Sequence, residues 1–360
     1  VVRVAGQRYR VDRVEQSEGQ LLEAVRVEAG VYLPSDKADE AISVRPYVPP
    51  VPVLAVFLDL PLMTGQEVPH APHVAVAAEP WPGSVAIWSS SEDAGYELNR
   101  LVAAPATIGV TESPLMFHSP GLWDLGAPLR VRLSGGELSS ASRLAVLNGA
   151  NAVAIGDGSG SNWEVFQFAE AQVVAPETYD ISIRLRGQLG TDGIVPSVWP
   201  VGSTVVLLDL GLAQIDLAQS SRGLARFYRV GMASRGVDDS NVTLLTEAFD
   251  GIGLRPYTVA HLRSVMQAGD VHLAWKRRTR LDGDSWQSGE VPLAEESEAY
   301  LVRVIQASSI VSEYTVTQPQ FIYAAAMRAA DGVSGVFQMA VAQISASFGP
   351  GPLRLLDVVA

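Results

Sequence analysis

Two histidines, His70 and His73, come closest in this sequence to the spacing of a metal site. Glu67 and Glu79 lie nearby, so a set of imidazole and carboxylate ligands can be drawn. The prolines that precede each histidine favour extended backbone, in which side chains three positions apart point to opposite sides. We therefore predict a surface or packing role for both histidines, and no metal site.

The segment Asp157-Gly-Ser-Gly-Ser-Asn162 offers oxygen ligands separated by glycines. A calcium loop carries several carboxylates, with a bidentate glutamate at a fixed offset. Only Asp157 meets that requirement here, so the segment is predicted to be a hairpin loop.

No short motif of an enzyme is present: the sequence lacks a nucleophile elbow, a phosphate-binding loop, a dinucleotide fingerprint and a zinc-protease helix. Glycoside hydrolysis needs two carboxylates at a defined separation. Pairs such as Glu295–Glu296 and Asp238–Asp239 are typical of solvated loops, and spacing alone places no pair together. We predict no catalytic residue, no bound cofactor and no metal within these residues.

One basic cluster stands out, formed by Lys276, Arg277, Arg278 and Arg280. Several acidic residues follow within about twenty positions, which favours a cross-strand charge ladder or a protein-interface patch over nucleic-acid binding. A stacking contact of Arg277 with Trp286 is a structural alternative. All four basic residues are candidates for a partner interface.

The segment from Tyr179 to Arg186 has the period of a half-buried antiparallel strand. The pattern assigns apolar side chains to one face and polar ones to the other, respectively Tyr179, Ile181, Ile183 and Leu185, and Asp180, Ser182, Arg184 and Arg186. Arg184 and Arg186 are thus predicted to point away from the core. They are candidates to hold the glycine-containing loop that follows or a neighbouring subunit, and a salt bridge to Glu164 or Glu170 is the alternative.

Composition limits the class of protein. The 360 residues contain 48% hydrophobic and 18% charged residues, which is typical of globular chains. The net charge of −13 disfavours nucleic-acid binding, because the overall field repels phosphates. There are no cysteines, so disulfides, thiolate metal sites and cysteine nucleophiles are excluded. Because the sequence opens at Val1 in a strand-like run, we expect it to be a segment of a longer polypeptide.

Many short apolar runs separated by glycine and proline clusters predict an all-β chain, with several domains of β-sandwich or barrel type. A polar and then proline-rich stretch from Pro34 to Pro52 indicates a first boundary. Alternating residues around Trp275, Tyr300 and Phe337 predict a final sandwich of the fibronectin type III class. The predicted domains are 1–46, 47–250 and 251–360.

Several motifs, taken together, resemble a family of phage-type tail-tip proteins, the large baseplate or host-specificity proteins of siphophages and of gene transfer agents. The resemblance is closest to the large baseplate protein of gene transfer agents, in its C-terminal portion. The motifs are Phe57-Leu-Asp-Leu-Pro-Leu62, Pro80-Trp-Pro-Gly83, Leu147-Asn-Gly-Ala-Asn151, Trp163-Glu-Val-Phe-Gln-Phe168, Arg184-Leu-Arg-Gly-Gln-Leu-Gly-Thr191, and Trp275-Lys-Arg-Arg-Thr-Arg280 with Tyr300.

The resemblance implies a virion component at the tail tip or baseplate, present as a homotrimer about the tail axis. It implies contacts with the tail hub, distal tail proteins, receptor-binding fibres and the host envelope. Residues 1–46 would be the last strands of a tail-hub-like domain, 47–250 a baseplate domain, and 251–360 the region of fibre attachment. A hydrolase-like domain would lie upstream in a longer chain.

Two hypotheses follow. In the first, the chain is a non-enzymatic structural part of a phage-like particle, which links the tail hub to the fibres and takes part in host attachment and DNA delivery. In the second, it is a secreted carbohydrate-binding or cell-wall-degrading protein with a fibronectin-like appendage, whose seven tryptophans include sugar-stacking platforms.

Overall fold

In a computed structural model, the structure describes residues 1–32, 52–283 and 291–359. The chain divides into two compact units, Val1–Val48 and Pro49–Ala360. Among the described residues, the two α-helices have five and six residues, and none of the helices is long and apolar enough to cross a bilayer.

The first unit contains a three-stranded antiparallel sheet in chain order, β1 (Val2–Val4), β2 (Gln7–Gln16) and β3 (Gln20–Arg26), followed by a 3₁₀ turn at Ala29–Tyr32. Ala5 and Gly6 both have positive φ, 48° and 80°, and join paired residues of β1 and β2. A two-residue turn with this geometry matches the twist of the flanking strands, so it sets the register of the hairpin.

The second unit begins with four strands that form the first part of a sandwich. They are β4 (Leu54–Leu58), β5 (His73–Ala77), β6 (Val85–Ser90) and β7 (Glu97–Val102). Every residue of β5 is buried, because one face of this strand lies in the sandwich core and the other packs against the next substructure.

A six-stranded antiparallel barrel follows. Its elements are β8 (Ile108–Thr111), β9 (Leu115–Met116), β10 (Trp123–Asp124), β11 (Leu129–Leu133), α1 (Arg143–Leu147), β12 (Ala152–Gly156), β13 (Trp163–Ala175), β14 (Thr178–Gln188), a 3₁₀ turn (Thr191–Gly193), β15 (Val198–Trp199) and β16 (Thr204–Leu207). The ring runs β14-β11-β8-β16-β12-β13 and closes because β13 also pairs with β14. Phe166, Phe168, Val131 and Ile181 are among the side chains that fill the interior. Closure leaves the ring itself without free edges.

After the barrel the chain completes the first sandwich. The remaining elements are β17 (Ala213–Gln214), a 3₁₀ turn (Gln219–Ser221), β18 (Arg226–Met232) and β19 (Thr243–Glu247). One sheet has the order β17-β5-β4 and the other β19-β18-β6-β7. The barrel is therefore an insertion between the fourth and fifth strands of a seven-stranded sandwich. Phe57, Tyr228 and Phe249 pack together in its core.

The C-terminal residues form a second sandwich. A 3₁₀ turn at Ile252–Leu254 leads into β20 (Ala260–Gln267), β21 (Asp270–Lys276), β22 (Tyr300–Gln306), β23 (Ser309–Val316), β24 (Gln320–Tyr323), α2 (Ala325–Ala330), β25 (Val336–Ser345), β26 (Gly349–Pro350) and β27 (Arg354–Val359). The sheets are β20-β21-β24 and β23-β22-β25, with β27 beside β25. This three-plus-four arrangement is that of a fibronectin type III domain. Trp275 is 3% exposed and packs edge-on against Tyr300 in the core.

The predicted all-β class, with sandwich and barrel domains and a fibronectin-like C-terminus, is confirmed. The two sandwiches share one strand order, once the barrel is removed from the first. The range 47–250 thus contains a sandwich and the barrel inserted into it. No sequence repeat accompanies this repeated topology, because strand order is compatible with many side-chain sets that keep the alternation.

Candidate functional site

An ion pair without solvent contact lies in the barrel. The side chains of Arg186 and Glu164 are both 0% exposed, and the guanidinium Nε and Nη2 donate to the two carboxylate oxygens at 2.6 and 2.7 Å. Trp199 Nε1 donates to Glu164 Oε2 at 2.6 Å. Arg186 Nη1 donates to the carbonyl oxygen of Met116 at 2.6 Å. Both charges are therefore compensated, as buried ions require.

A second buried pair lies two residues earlier on β14. Arg184 Nε donates to Asp124 Oδ2 at 2.9 Å, and its Nη1 donates to the carbonyl oxygen of Ile181 at 2.9 Å. Burial pushes the pKa of Asp124 upward, but the Gly126 N–H and the Arg184 guanidinium outweigh it and hold that pKa below its usual value. Asp124 therefore stays ionised and fixes β10 against β14.

The predicted alternation along β14 is wrong from Ile183 onward, because Ile183 packs with Leu185 outside the barrel core. Ile183 has a φ of 55°, an unusual conformation for a β-branched side chain, and the faces of the strand reverse there. Tyr179 and Ile181 lie in the barrel core, whereas Leu185 packs outside with α1. Arg184 and Arg186, predicted to point away from the core, are instead buried.

The structure thus pairs Arg186 with Glu164, one of the two local carboxylates considered from sequence. Glu170, the other, accepts a hydrogen bond from Ser182 instead. Arg184 is 2% exposed and Arg186 is 0% exposed, so neither presents its charge to a partner in this conformation. Asp124 carries no local signal in the sequence, since it lies 60 residues from Arg184.

The two arginines hold a loop with apolar side chains on the surface. Arg186 binds the main chain at Met116, and Arg184 binds Asp124, so both ends of the loop are fixed to β14. Residues 113–123, which include the Met116 anchor, contain no lysine, arginine, aspartate or glutamate. Four large apolar side chains at 116–125 are 53–65% exposed: Met116, Phe117, Leu122 and Leu125. We call residues 113–128 the apolar loop.

The predicted basic cluster divides into residues bound internally and one on the surface. Arg278 Nη1 donates to Asp192 Oδ1 at 2.8 Å, and Arg280 Nε donates to Glu295 Oε1 at 3.0 Å. Arg277 Nη2 donates to a backbone carbonyl oxygen at 2.8 Å. Lys276 is exposed at the end of β21. The proposed stacking of Arg277 on Trp286 lies outside the described residues.

Arg278 also marks the joint between the barrel and the C-terminal sandwich. Its guanidinium lies 5.2 Å from the ring centroid of Tyr257, while Asp192 belongs to the loop that follows β14. In this loop Gly190 has a φ of 77°, and a Cβ there would lie 2.1 Å from the Tyr257 ring. A Cβ on Gly193 would lie 2.1 Å from Thr258 Oγ1. Gly190 and Gly193 thus allow the barrel and the C-terminal sandwich to pack closely.

Asp59 fixes a second connection. Its carboxylate oxygens accept the N–H groups of Gly251 and Ile252 at 2.8 and 2.7 Å, at the 3₁₀ turn that leads into the C-terminal sandwich. Burial raises the pKa of Asp59 to about 6, although these hydrogen bonds favour the ionised form. The residue is 2% exposed, so its role is structural.

The residues with metal-ligand potential are engaged in local packing. His70 Nε2 lies 2.9 Å from the carbonyl oxygen of Leu217, and His73 is buried in β5, where burial lowers its pKa. Asp157 accepts hydrogen bonds from Ser159 and Asn162 within its own loop. Across residues 1–32, 52–283 and 291–359, no group of three or more histidine and carboxylate side chains is arranged to hold a metal ion.

A search of curated proteins finds no match to this chain. Solved structures with low similarity include three that are each 9% identical to this chain. The match to the FN1–FN3 domains of chicken CNTN1 covers 70% of this chain and 66% of the CNTN1 chain, with a TM-score of 0.20. The match to the chicken interferon gamma receptor alpha chain covers 68% of this chain and 98% of the receptor chain, with a TM-score of 0.22. The match to domains d3–d4 of rat CD45 covers 42% of this chain and 72% of the CD45 chain, with a TM-score of 0.23.

A family match falls on the inserted barrel. Residues 106–206 match the family described as Rcc01698-like, C-terminal, and these limits enclose β8 to β16 almost completely. The match covers a little over a quarter of the chain. The barrel that carries both buried ion pairs is thus similar to the Rcc01698-like C-terminal family, and Rcc01698 is a gene transfer agent protein.

Proposed function

We propose that this chain is a structural component of the tail tip or baseplate of a phage-like particle. It links the tail hub to receptor-binding fibres, and it takes part in host-envelope attachment and DNA delivery. The observation that carries this proposal is the coincidence of the Rcc01698-like match with a complete barrel.

The construction of the second unit supports a mechanical role. The barrel joins the first sandwich through both of its ends, and the two share an apolar cluster that includes Leu58 and Ala75 from the sandwich and Trp163 and Val206 from the barrel. The close-packed glycine loop and the Arg278–Asp192 pair fix the C-terminal sandwich to the barrel. These contacts would let force pass between the two sandwiches of the second unit through the barrel.

The apolar loop supports an assembly role. Exposed apolar patches on soluble proteins mark contact surfaces. This patch is held rigidly from below by Arg184 and Arg186. In the proposed particle, the apolar loop is buried against a neighbouring particle protein or a second copy around the tail axis, where a homotrimer is expected.

A non-enzymatic role fits the buried carboxylates. Glu164, Asp124 and Asp59 each accept hydrogen bonds from the chain's own donors. A general acid or base needs access to substrate. Buried carboxylates are the usual candidates for a general acid or base. In this proposal these three instead stabilise the folded chain.

The test is incorporation into particles. A variant in which Met116, Phe117, Leu122 and Leu125 are all changed to serine should fold but be depleted from purified particles at least tenfold. The control changes Leu98 and Leu101 to serine on β7, where both side chains are 55% exposed. Absence of the unmodified chain from particles, or hydrolysis of cell-wall glycans by the purified chain, would contradict the proposal.

A further inference from the structure

The outer face of the three-stranded sheet of the C-terminal sandwich carries an open groove. Two adjoining cavities of about 620 and 790 Å³ lie on β20, β21 and β24, and they share Arg263, Ala274 and Gln320 as lining residues. The shared residues make the two cavities one continuous depression. We call it the β20-β21-β24 groove.

Strand pairing fixes the positions of the groove side chains. Arg263, Ala274 and Gln320 lie opposite one another across the three strands, and Val265, His272 and Ile322 form the next row. Successive rows are ~6.7 Å apart along a strand. The small side chain of Ala274 leaves the depression in the middle row, while its neighbours Leu273 and Trp275 point into the core.

Two cationic and two imidazole side chains line the groove, Arg263 and Lys276 with His261 and His272. His261 has a φ of 53° at a β-bulge, a feature that redirects side chains on a sheet. Among the described residues that line the groove, none is an aspartate or glutamate, although the chain has 39 of these and a net charge of −13.

Arg263 and Lys276 also lack carboxylate partners among the described residues. Elsewhere in the same sandwich, Arg303 pairs with Glu313 and Arg280 pairs with Glu295. Within the described parts of the chain, neither Arg263 nor Lys276 makes a salt bridge. A cationic depression on an acidic protein is electrostatically complementary to an anionic ligand.

The position of the groove narrows the class of ligand. An extended peptide gains affinity from backbone hydrogen bonds at a sheet edge, whereas this groove lies on a sheet face, where only side chains are available. The groove offers the carboxamides of Gln318 and Gln320 and the aliphatic side chains of Val265 and Ile322. Such a mixture suits a ligand with carboxylates, hydroxyls and small apolar faces.

We propose that the β20-β21-β24 groove binds a carboxylate-bearing polysaccharide. Arg263 and Lys276 bind the carboxylates, the two glutamine carboxamides bind hydroxyls, and Val265 with Ile322 contacts the sugar rings. The inference concerns the C-terminal sandwich alone and stands without the assignment to a particle. Within the proposed function, it gives host-envelope attachment a chemical target, an acidic surface glycan.

The experiment uses the full chain and two matched probes. One probe is an oligogalacturonate, and the other is the same oligosaccharide with its carboxylates methyl-esterified. Calorimetry at low salt should detect binding of the acid and at least tenfold weaker binding of the ester. Raising the salt concentration should weaken binding of the acid, because exposed charges are screened.

Variants locate the site. Arg263→Gln combined with Lys276→Gln should weaken binding of the acid at least tenfold without changing the melting temperature. The control is Arg354→Gln, on an exposed residue of β27 in the other sheet of the same sandwich, which should bind as the unmodified chain does.

Equal binding of acid and ester, an equal loss in the Arg354→Gln variant, or no binding at millimolar ligand would overturn the proposal. Tighter binding of an aspartate-rich peptide than of the oligogalacturonate would assign the groove to a protein and also overturn it. None of these outcomes affects particle incorporation of the apolar-loop variants, so failure of one proposal is distinguishable from failure of the other.

Discussion

Arg186 and Glu164 form a two-point ion pair with both side chains 0% exposed, and Glu164 accepts a third hydrogen bond from Trp199. The pair joins four segments of the barrel, because Trp199 and the main chain of Met116 also bind to it. It is therefore an anchor of the apolar loop as well as part of the barrel interior.

Removing one partner of the Arg186–Glu164 pair should lower the unfolding free energy strongly. Arg186→Met leaves the Glu164 carboxylate buried without its cation, a situation that costs about 3–5 kcal/mol. Denaturant unfolding, followed by the fluorescence of the barrel tryptophans, measures this loss. The double variant with Glu164→Gln should be more stable than Arg186→Met alone, since the isolated charge is gone.

The matched control is an exposed pair on the same sheet. Arg130 and Asp180 interact at 2.7 Å, with 47% and 20% of their side chains exposed. Arg130→Met should change the unfolding free energy far less than Arg186→Met does, because solvent screens an exposed ion pair. Equal losses for Arg186→Met and Arg130→Met would contradict the role assigned to the buried pair.

Asp59 makes stability depend on pH. Its pKa is about 6 in the folded chain against an ordinary value of 3.8, so between these values the folded state keeps a proton that the unfolded state has released. Unfolding free energy therefore falls as pH rises from about 4 to 6, by on the order of 3 kcal/mol from this residue.

Asp59→Asn tests this dependence. Asparagine does not titrate and accepts hydrogen bonds through one oxygen only, so its contribution to the unfolding free energy should not change with pH, whereas that of Asp59 falls as pH rises. The difference in unfolding free energy between the two proteins should therefore be largest at pH 4 and shrink towards pH 7. Parallel stability curves would show that Asp59 does not titrate in this window.

The strands and the fold class could be predicted from sequence because alternation and turn residues are local signals. Trp275 and Tyr300 fit this pattern and are both buried. Pairing between distant segments has no such signal. Ala213 pairs with Val74 across the entire inserted barrel, so the split sandwich was beyond a local prediction.

The arginines of β14 show a second limit of prediction from sequence, which concerns the direction of side chains. Strict alternation assigns Arg184 and Arg186 to the polar face, and one residue, Ile183, reverses that assignment by adopting a φ of 55°. The register of β13 with β14 is unbroken from Gln167–Leu185 to Val173–Tyr179, so the reversal comes from this backbone conformation and not from an inserted residue. Isoleucine gives no warning of this conformation, which glycine or asparagine would have given.

Gly190 should not tolerate a side chain at the joint between the barrel and the C-terminal sandwich. Gly190→Ala adds the strain of a φ of 77° and a contact 2.1 Å from the Tyr257 ring. We expect the unfolding free energy to fall by about 1 kcal/mol from the backbone strain and by about 1–3 kcal/mol more from overpacking. Thermal melting and limited proteolysis around residue 257 measure the effect.

Gly202→Ala is the control that separates backbone strain from overpacking. Gly202 has a φ of 89°, and a Cβ there would meet no atom within 4 Å, so only the backbone strain of about 1 kcal/mol remains. Losses of the same size in both variants would mean that Tyr257 moves aside without cost and that the joint is not closely packed.

Trp275 should be the most sensitive position of the C-terminal sandwich. Its ring is 3% exposed and lies 5.1 Å from the ring of Tyr300, between the two sheets. Trp275→Ala opens a cavity that these sheets cannot fill, and we expect a loss of about 3–5 kcal/mol in denaturant unfolding. The control is Leu355→Ala on β27, whose side chain is 53% exposed and should cost less than about 0.5 kcal/mol. If the two variants unfolded at the same denaturant concentration, Trp275 would not be a core residue of this sandwich.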